Sequence, residues 1–321
     1  MEAVALLILY KIIRGQSYGC DTVYSLETSH IEGDETAVVY NTEIGALQEF
    51  TLSSLISLSK TEKVLGIDLS KSSVIKVRPI ELYLRQREAV DKICGITSHY
   101  LFKGGHIFLE SCNLGSNKLY RVLEGTAYIE KEAFSKNTST QFAVKLPKTC
   151  IVIGLSCFRG SSITSINLEN VRSIGARAFS DCKYLKSVTL DNCSIQVCAF
   201  EAAGIERVII KNTDELSQNC FSDCKALVDV DLGRVCRIKS GAFQGCESLK
   251  EIYLPVKNTE IDSRAFAECS SLETINIENI SLSKGIGVGA FSATHLSKEV
   301  YSALEERFPS YYFFDMIYAK N

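Results

Sequence analysis

Two apolar patterns alternate along the later two thirds of the chain. The first is Ile or Leu, four residues, then Phe, with a small residue usually before the Phe. It occurs as Ile129–Phe134, Ile153–Phe158, Ile174–Phe179, Ile195–Phe200, Leu216–Phe221, Ile238–Phe243, Ile261–Phe266 and Ile286–Phe291. From Phe158 to Phe243 the Phe residues recur every 21 or 22 positions, and so regular a return marks an internal repeat. Between these boxes lies apolar-x-x-apolar-x-apolar: Ile163/Ile166/Leu168, Leu185/Val188/Leu190, Ile205/Val208/Ile210, Leu227/Val230/Leu232, Leu249/Ile252/Leu254 and Leu272/Ile275/Ile277. The last two apolar residues are two apart, the period of a strand with one buried face. Val144/Leu146 is a weaker copy, and Leu119/Val122 another, with Glu124 on the expected apolar position.

Each repeat therefore reads as a short strand, a turn, and a compact segment that carries the Phe back to the next strand. One repeat cannot bury its own apolar side, but a stack buries a continuous core. The strands should form a parallel sheet with ~4.8 Å between neighbours, and the Phe residues should fill the layer behind it. The joined patterns give the template L-x-x-L-x-L-x-x-N/C-x-L of leucine-rich repeats, met best by Leu185, Val188, Leu190, Cys193 and Ile195.

At the next level of detail, Ile174-Gly175, Ala178-Phe179, Cys182, Leu185, Val188 and Leu190 resemble the motif I-G-x-x-A-F-x-x-C-x-x-L-x-x-I-x-L-P of the BspA-like (Treponema pallidum-type) leucine-rich-repeat family. Ile238, Ala242-Phe243, Cys246, Leu249, Ile252 and Leu254-Pro255 are similar to it as well. The resemblance covers roughly residues 119–296. Gly is missing from several boxes, and Pro follows the strand only at Pro147 and Pro255. The fold class it implies is an α/β repeat solenoid: a right-handed leucine-rich-repeat stack with one parallel β-sheet. Members of the family are often microbial or protist surface proteins implicated in adhesion and host contact.

Outside the array the pattern weakens. Three regions are expected: an N-terminal region 1–118 of degenerate repeats or cap, the array 119–296, and a C-terminal cap 297–321. In the first, Leu47/Phe50/Leu52 and Val64/Ile67/Leu69 fit the strand triplet, but no box follows them. In the last, Glu299–Arg307 reads as helical and precedes Pro309 and Tyr311-Tyr312-Phe313-Phe314. Covering the open end of a repeat stack is the natural role for this segment. The apolar run Ala3–Tyr10 precedes small residues at Ser17 and Gly19, as before a cleavage site. The only charge ahead of it is Glu2, however, whereas a secretory leader carries a positive start. The run is read instead as a first apolar element packed on the fold. Location stays open: the family resemblance implies the cell surface or secretion, and the weak leader leaves a cytoplasmic protein as the alternative.

Composition narrows the function. The chain is 46% hydrophobic and 23% charged, a globular balance. Its net charge is −3 and no long basic run occurs, so nucleic acid is not an expected partner. No apolar stretch reaches the ~18–20 residues of a membrane span. Among the 13 Cys, Cys182, Cys224, Cys246 and Cys269 each follow a box Phe by three residues, while Cys157 and Cys220 take the small position before it. A column of small buried thiols that satisfies nearby backbone is the preferred reading. Zinc would need a tight cluster, for which Cys220/Cys224 and Cys193/Cys198 are the nearest spacings. Vertical disulfides would need close Cβ atoms. His30, His99, His106 and His295 make no metal or nucleophile motif, Gly104-Gly105 reads as a turn, and no phosphate- or dinucleotide-binding fingerprint occurs. No catalytic residue, metal or cofactor is assigned, and the chain is read as a non-enzyme.

Three N-x-S/T sequons occur, at Asn137, Asn192 and Asn279. They matter only in a secretory setting.

What remains is the outward side of the strands. The residue between the last two apolar positions must face away from the core, giving Lys145, Asn167, Thr189, Ile209, Asp231, Tyr253 and Asn276. Two positions earlier come Ser165, Ser187, Arg207, Asp229, Glu251 and Thr274. Solenoids bind partners on such faces, and Tyr and Arg are favoured anchors. The candidate ligand-binding residues are Arg207, Ile209, Asp229, Asp231, Glu251 and Tyr253. The expected function is recognition of a protein or surface ligand through this face, in adhesion or host contact. An intracellular interaction scaffold is the alternative.

Overall fold

The computed structural model describes residues 36–41 and 46–51, residues 84, 87, 88 and 90–257, and residues 259–282 and 285–308. The apolar run at 3–10, the triplet at 64–69 and the aromatic cluster at 311–314 lie outside these. The chain divides into two compact units, 1–107 and 108–321.

In the first unit, β1 (Thr36–Asn41) and β2 (Ala46–Thr51) form an antiparallel hairpin, with Tyr40 opposite Leu47 and Ala37 opposite Phe50. The triplet starting at Leu47 thus belongs to a hairpin and not to a parallel repeat. β3 (Thr97–Lys103) follows. Its start is held by a buried carboxylate: Ser98 Oγ donates to Asp91 Oδ2 at 2.6 Å, and Arg87 Nε lies 3.0 Å from Asp91 Oδ1. The Tyr100 amide donates to Glu88 Oε1, 2.7 Å away. Gly104 and Gly105, expected to turn the chain, both have positive φ.

β4 (His106–Asn113) carries the chain into the second unit, which is the repeat stack. The apolar triplets form its front strands: β5 (Leu119–Arg121), β7 (Phe142–Lys145), β9 (Ile163–Ile166), β11 (Ser187–Asp191), β13 (Arg207–Lys211), β15 (Asp229–Asp231), β17 (Glu251–Ile252) and β19 (Thr274–Ile275). All recorded pairings among them are parallel, in three groups: β5-β7-β9, β11-β13-β15 and β17-β19. The box Ile residues build a second parallel ladder, beyond the one sheet expected. It is made of β6 (Thr126–Ile129) and the two-residue strands β8 (Val152–Ile153), β10 (Ser173–Ile174), β12 (Ser194–Ile195), β14 (Glu215–Leu216), β16 (Arg237–Ile238) and β18 (Glu260–Ile261). Here the pairs join β6-β8-β10-β12 and β14-β16-β18. Two residues suffice because each repeat presents only one inward side chain there.

The return segment contains no helix and is a third ladder. All eight box Phe side chains are fully buried. Their rings stack face to face from Phe134 to Phe291, with centroids 4.7–5.6 Å apart and planes within 9°. From Phe134 to Phe266 each Phe amide donates to the carbonyl of the small residue before the next Phe, as from Phe179 to Ala199 at 2.7 Å and from Phe200 to Cys220 at 2.8 Å. The amides two residues before and after the Phe do the same, as Arg177 to Val197 and Asp181 to Glu201. To aim alternate amides along the stack, the chain takes positive φ at both flanking sites. Glu132, Ser156, Arg177, Cys198, Asn219, Gly241, Arg264 and Gly289 occupy the first site; Gly160, Asp181, Ala202, Asp223, Gly245, Glu268 and Ala293 the second. A left-handed residue costs roughly 1–2 kcal/mol unless it is Gly, so the gain in inter-repeat hydrogen bonding overrides local preference.

In the first full repeat the inward residues are Tyr120 and Val122, 1% and 4% exposed, while Leu119 is 43% exposed. Tyr120 pairs with Val144. The expected Leu119/Val122/Glu124 triplet is thus corrected by two positions, to Asn117, Tyr120 and Val122. Asn117 replaces the first apolar residue and bonds locally, its Nδ2 donating to the Leu114 carbonyl. After the last box comes the helix Lys298–Arg307, whose N-cap Ser297 accepts from the Val300 amide. Leu304 and Phe308 are buried, and Arg307 donates to the carbonyls of Glu278 and Ile280.

Candidate functional site

Three sets of residues lead toward function: the cysteine column, the front face and the sequon asparagines. The cysteines are explained by structure. Cys182, Cys224, Cys246 and Cys269 have no exposed surface. Each Sγ donates to the carbonyl of a box Phe in the preceding repeat: Phe158 at 3.0 Å, Phe200 at 3.1 Å, Phe221 at 3.2 Å and Phe243 at 3.1 Å. The column continues in other side chains with the same task or size. Ser161 and Ala203 stand three residues after their Phe, and Asn137 opens the series. Asn137 donates from Nδ2 to Cys112 and Phe134 carbonyls at 2.7 and 3.0 Å, and accepts from the Leu114 amide at 2.7 Å. Burial pushes the Cys182 and Cys224 thiols up to about 12, which keeps them neutral donors. Cys94, Cys112, Cys150, Cys157, Cys193, Cys198, Cys220 and Cys236 are free thiols as well. Among the described residues no group of three or more His, Cys, Asp or Glu is placed to hold a metal ion. His99 Nδ1 lies 3.0 Å from Glu88 Oε1, and His295 contacts the Ser270 carbonyl.

The six candidate residues lie on the front of three successive repeats. Register places Arg207 beside Asp229 and Ile209 beside Asp231. Glu251 pairs instead with Thr274, in the group β17-β19, and Tyr253 stands one residue past β17. The recorded ladder is therefore interrupted between Asp229/Asp231 and Glu251/Tyr253. Each charge has a local partner: Arg207 Nε is 2.9 Å from Asp229 Oδ2, and Asp231 Oδ1 accepts from the Gly233 amide at 3.0 Å. Tyr253 Oη donates to Glu251 Oε2 at 3.3 Å. Alongside, Lys186 pairs with Glu206 and Lys225 with Glu247, also between repeats. What this leaves outward and uncommitted is apolar: part of Ile209, the ring of Tyr253 at 57% exposure and Val228 at 54%.

Val228 was missed because it falls in the gap after the first apolar residue of the triplet Leu227/Val230/Leu232, one residue before β15. Its neighbours in register order, Glu206 and Lys250, are exposed as expected for that column, and an isolated Val among them is the signal that could have found it. Two residues on the outward row turn out to serve the sheet. Asn167 accepts from the Leu146 amide and donates to its carbonyl, at 2.7 and 3.1 Å; Asn276 does the same to Leu254, at 2.7 and 3.0 Å. Both stand one residue past their strands, β9 and β19, and Asn, disfavoured in strands, hinted there at a side chain used in place of backbone. An open cleft of about 610 Å³ lies beside the front strands and the second ladder, walled by Arg172, Asn192, Ser194, Thr213, Glu215 and Arg237 among others.

Comparison with known proteins agrees with this architecture. The sequence profile of the BspA-type leucine-rich-repeat region matches in six copies over residues 105–228 and 194–319. No curated protein matches the chain. Among solved structures, a leucine-rich-repeat protein from Bacteroides ovatus is 26% identical over 63% of this chain and 56% of its own, with a TM-score of 0.49. The chain thus spans little more than half of that relative. A leucine-rich-repeat protein of T. pallidum is 23% identical over 65% of this chain and 92% of its own, with a TM-score of 0.47. One from Eubacterium ventriosum is 18% identical, covering 62% and 50%, with a TM-score of 0.41.

Proposed function

We propose that this chain, which belongs to the BspA-type leucine-rich-repeat family, is a non-enzymatic binding protein that engages a protein or a surface-displayed ligand with the outward side of its front strands, in adhesion or host contact. The observation that supports this reading is the pairing on that face. Arg207, Asp229, Asp231 and Glu251 are hydrogen-bonded to their neighbours, and Val228 and Tyr253 stand exposed between them beside a half-buried Ile209. A face on which Arg207 pairs with Asp229, while Asp231 and Glu251 keep their negative charge around apolar side chains, suits a protein surface better than an anionic polymer. Affinity would come from burying the apolar groups, and the ion pairs would set orientation.

The test is titration of a candidate partner against wild type, Tyr253→Ala, Ile209→Ala and Arg207→Ala. Truncating a central anchor costs ~2 kcal/mol or more of binding, while exposed substitutions usually shift stability by ~0.5 kcal/mol or less. Weaker binding by Tyr253→Ala with an unchanged melting temperature is expected. Wild-type affinity in all three variants, together with loss of binding on changes in residues 1–107 or on the Phe side of the stack, would overturn the reading.

A further inference from the structure

The three sequons are chemically alike in sequence and differ sharply in the fold. Asn137 is 7% exposed and commits both Nδ2 hydrogens, to the Cys112 and Phe134 carbonyls, while its Oδ1 accepts from Leu114. A glycosyl group on that nitrogen would remove a buried donor and drive a sugar into the column. Asn279 donates from Nδ2 to the Leu254 carbonyl at 2.6 Å, and its partner hydroxyl residue Ser281 is 2% exposed. Asn192 is the opposite case. It is exposed on the turn after β11, with positive φ; its backbone amide donates to the Lys211 carbonyl, and among the described residues its side-chain amide has no hydrogen-bond partner. Ser194 is exposed as well, while the intervening Cys193 is turned inward and 2% exposed. Both Asn192 and Ser194 line the open cleft of about 610 Å³, so there is room in front of the amide.

We propose that Asn192 is an N-glycan acceptor site of this protein, the one among its three sequons that the folded chain can present and carry. The donor is a polyprenyl-pyrophosphate-linked oligosaccharide. Asn192 Nδ2 bonds to C1 of the first sugar, the bond from C1 to the pyrophosphate oxygen breaks, polyprenyl pyrophosphate departs, and one amide proton is lost to the transferase base. The Ser194 hydroxyl supplies the group that the transferase reads two residues after the acceptor.

The full chain, produced without glycans and folded, is incubated with a single-subunit oligosaccharyltransferase and its lipid-linked donor, in parallel with the same chain held unfolded. Peptide mapping by mass spectrometry then locates the sugar. In the folded protein modification is expected at Asn192 and is lost in Asn192→Gln. In the unfolded chain Asn137 and Asn279 become acceptors too. The modified folded protein should keep the melting temperature of the unmodified one. Modification of the folded chain at Asn137 or Asn279, none at Asn192 in either state, or unfolding when Asn192 carries its glycan would each overturn the proposal.

Discussion

The two sides of the repeat stack are built to different standards. On the return side the Phe rings run unbroken through all eight boxes, and every step is matched by backbone hydrogen bonds flanking the ring. On the front the strands shorten from five residues at β11 and β13 to two at β17 and β19, and the recorded ladder falls into three groups. Cohesion between repeats is thus carried chiefly by the turn side, where small residues, left-handed backbone and stacked rings recur each time. The front is held by its inward Val, Leu and Ile side chains, and its outward positions vary from repeat to repeat, apart from Asn167 and Asn276, which bond the neighbouring repeat. A surface relieved of structural duty is the one free to become specific.

The strongest way to break this comparison is to remove one ring. Phe221 is flanked by Phe200 and Phe243 at 5.1 and 5.6 Å and is fully buried. Phe221→Ala should destabilise by about 3–5 kcal/mol, read as a lower urea midpoint. Arg207→Ala on the opposite side gives up a pair whose members are 60% and 51% exposed and should change stability by at most ~1 kcal/mol. Equal losses would show that both sides bear the stack alike.

Asn137→Ala comes next. It leaves the Leu114 amide without its recorded acceptor and the Cys112 and Phe134 carbonyls without that donor. A buried group left unsatisfied costs about 1–3 kcal/mol, so a drop of that size in urea titration is expected. Asn192→Ala removes no side-chain hydrogen bond among the described residues but puts Ala at φ 48°, a region Asn tolerates better, so it should cost less than Asn137→Ala by the same measure.

The columns of rings and thiols were legible because burial imposes a fixed period: any residue that must stack on its counterpart repeats at the length of the turn. Fold family and core could be read from Phe179, Ala178 and Cys182 for this reason. Tyr120 escaped because a Tyr in a three-residue strand, preceded by an apolar Leu119, offers two registers and no counting rule separates them. The second ladder escaped because two residues leave no alternation to detect. The left-handed positions escaped because Arg177, Ala202 and Arg264 have no intrinsic preference for that region; neighbouring repeats impose it. The outward candidates were placed on the correct side, but their pairing was hidden. Whether Arg207 is free or held by Asp229 depends on register between repeats, which one repeat cannot show.

Alkaline pH sharpens the contrast further. The thiols of Cys182 and Cys224 are raised by burial from 9.0 to about 12, so the folded state holds its protons where the unfolded chain gives them up. Stability then falls as pH rises from about 9 toward 12, since the native form binds more protons than the unfolded one in that window. Below pH 9 these groups should contribute no pH dependence. Urea midpoints at pH 7.5 and 10 should show the loss, and Cys182→Ala with Cys224→Ala should reduce the slope, the other buried thiols such as Cys150 and Cys193 keeping part of it, despite lowering the midpoint overall. An unchanged slope would mean that the column opens to water.

The smallest effect tests the backbone itself. Ala202 sits at φ 55° and its amide donates to the Ser222 carbonyl at 2.8 Å. Glycine adopts this region without the steric penalty, but it costs roughly 0.5–1 kcal/mol more conformational freedom on folding. The penalty relieved is roughly 1–2 kcal/mol, so Ala202→Gly should be neutral to stabilising, by about 0.5 kcal/mol. Thr189, in the extended front strand β11, has no such strain to relieve, and Thr189→Gly pays the entropy and loses strand packing. The same replacement should therefore move the urea midpoint up or leave it on the turn side, and lower it on the front. If Ala202→Gly loses as much as Thr189→Gly, the left-handed column is not what carries the hydrogen bonds from repeat to repeat.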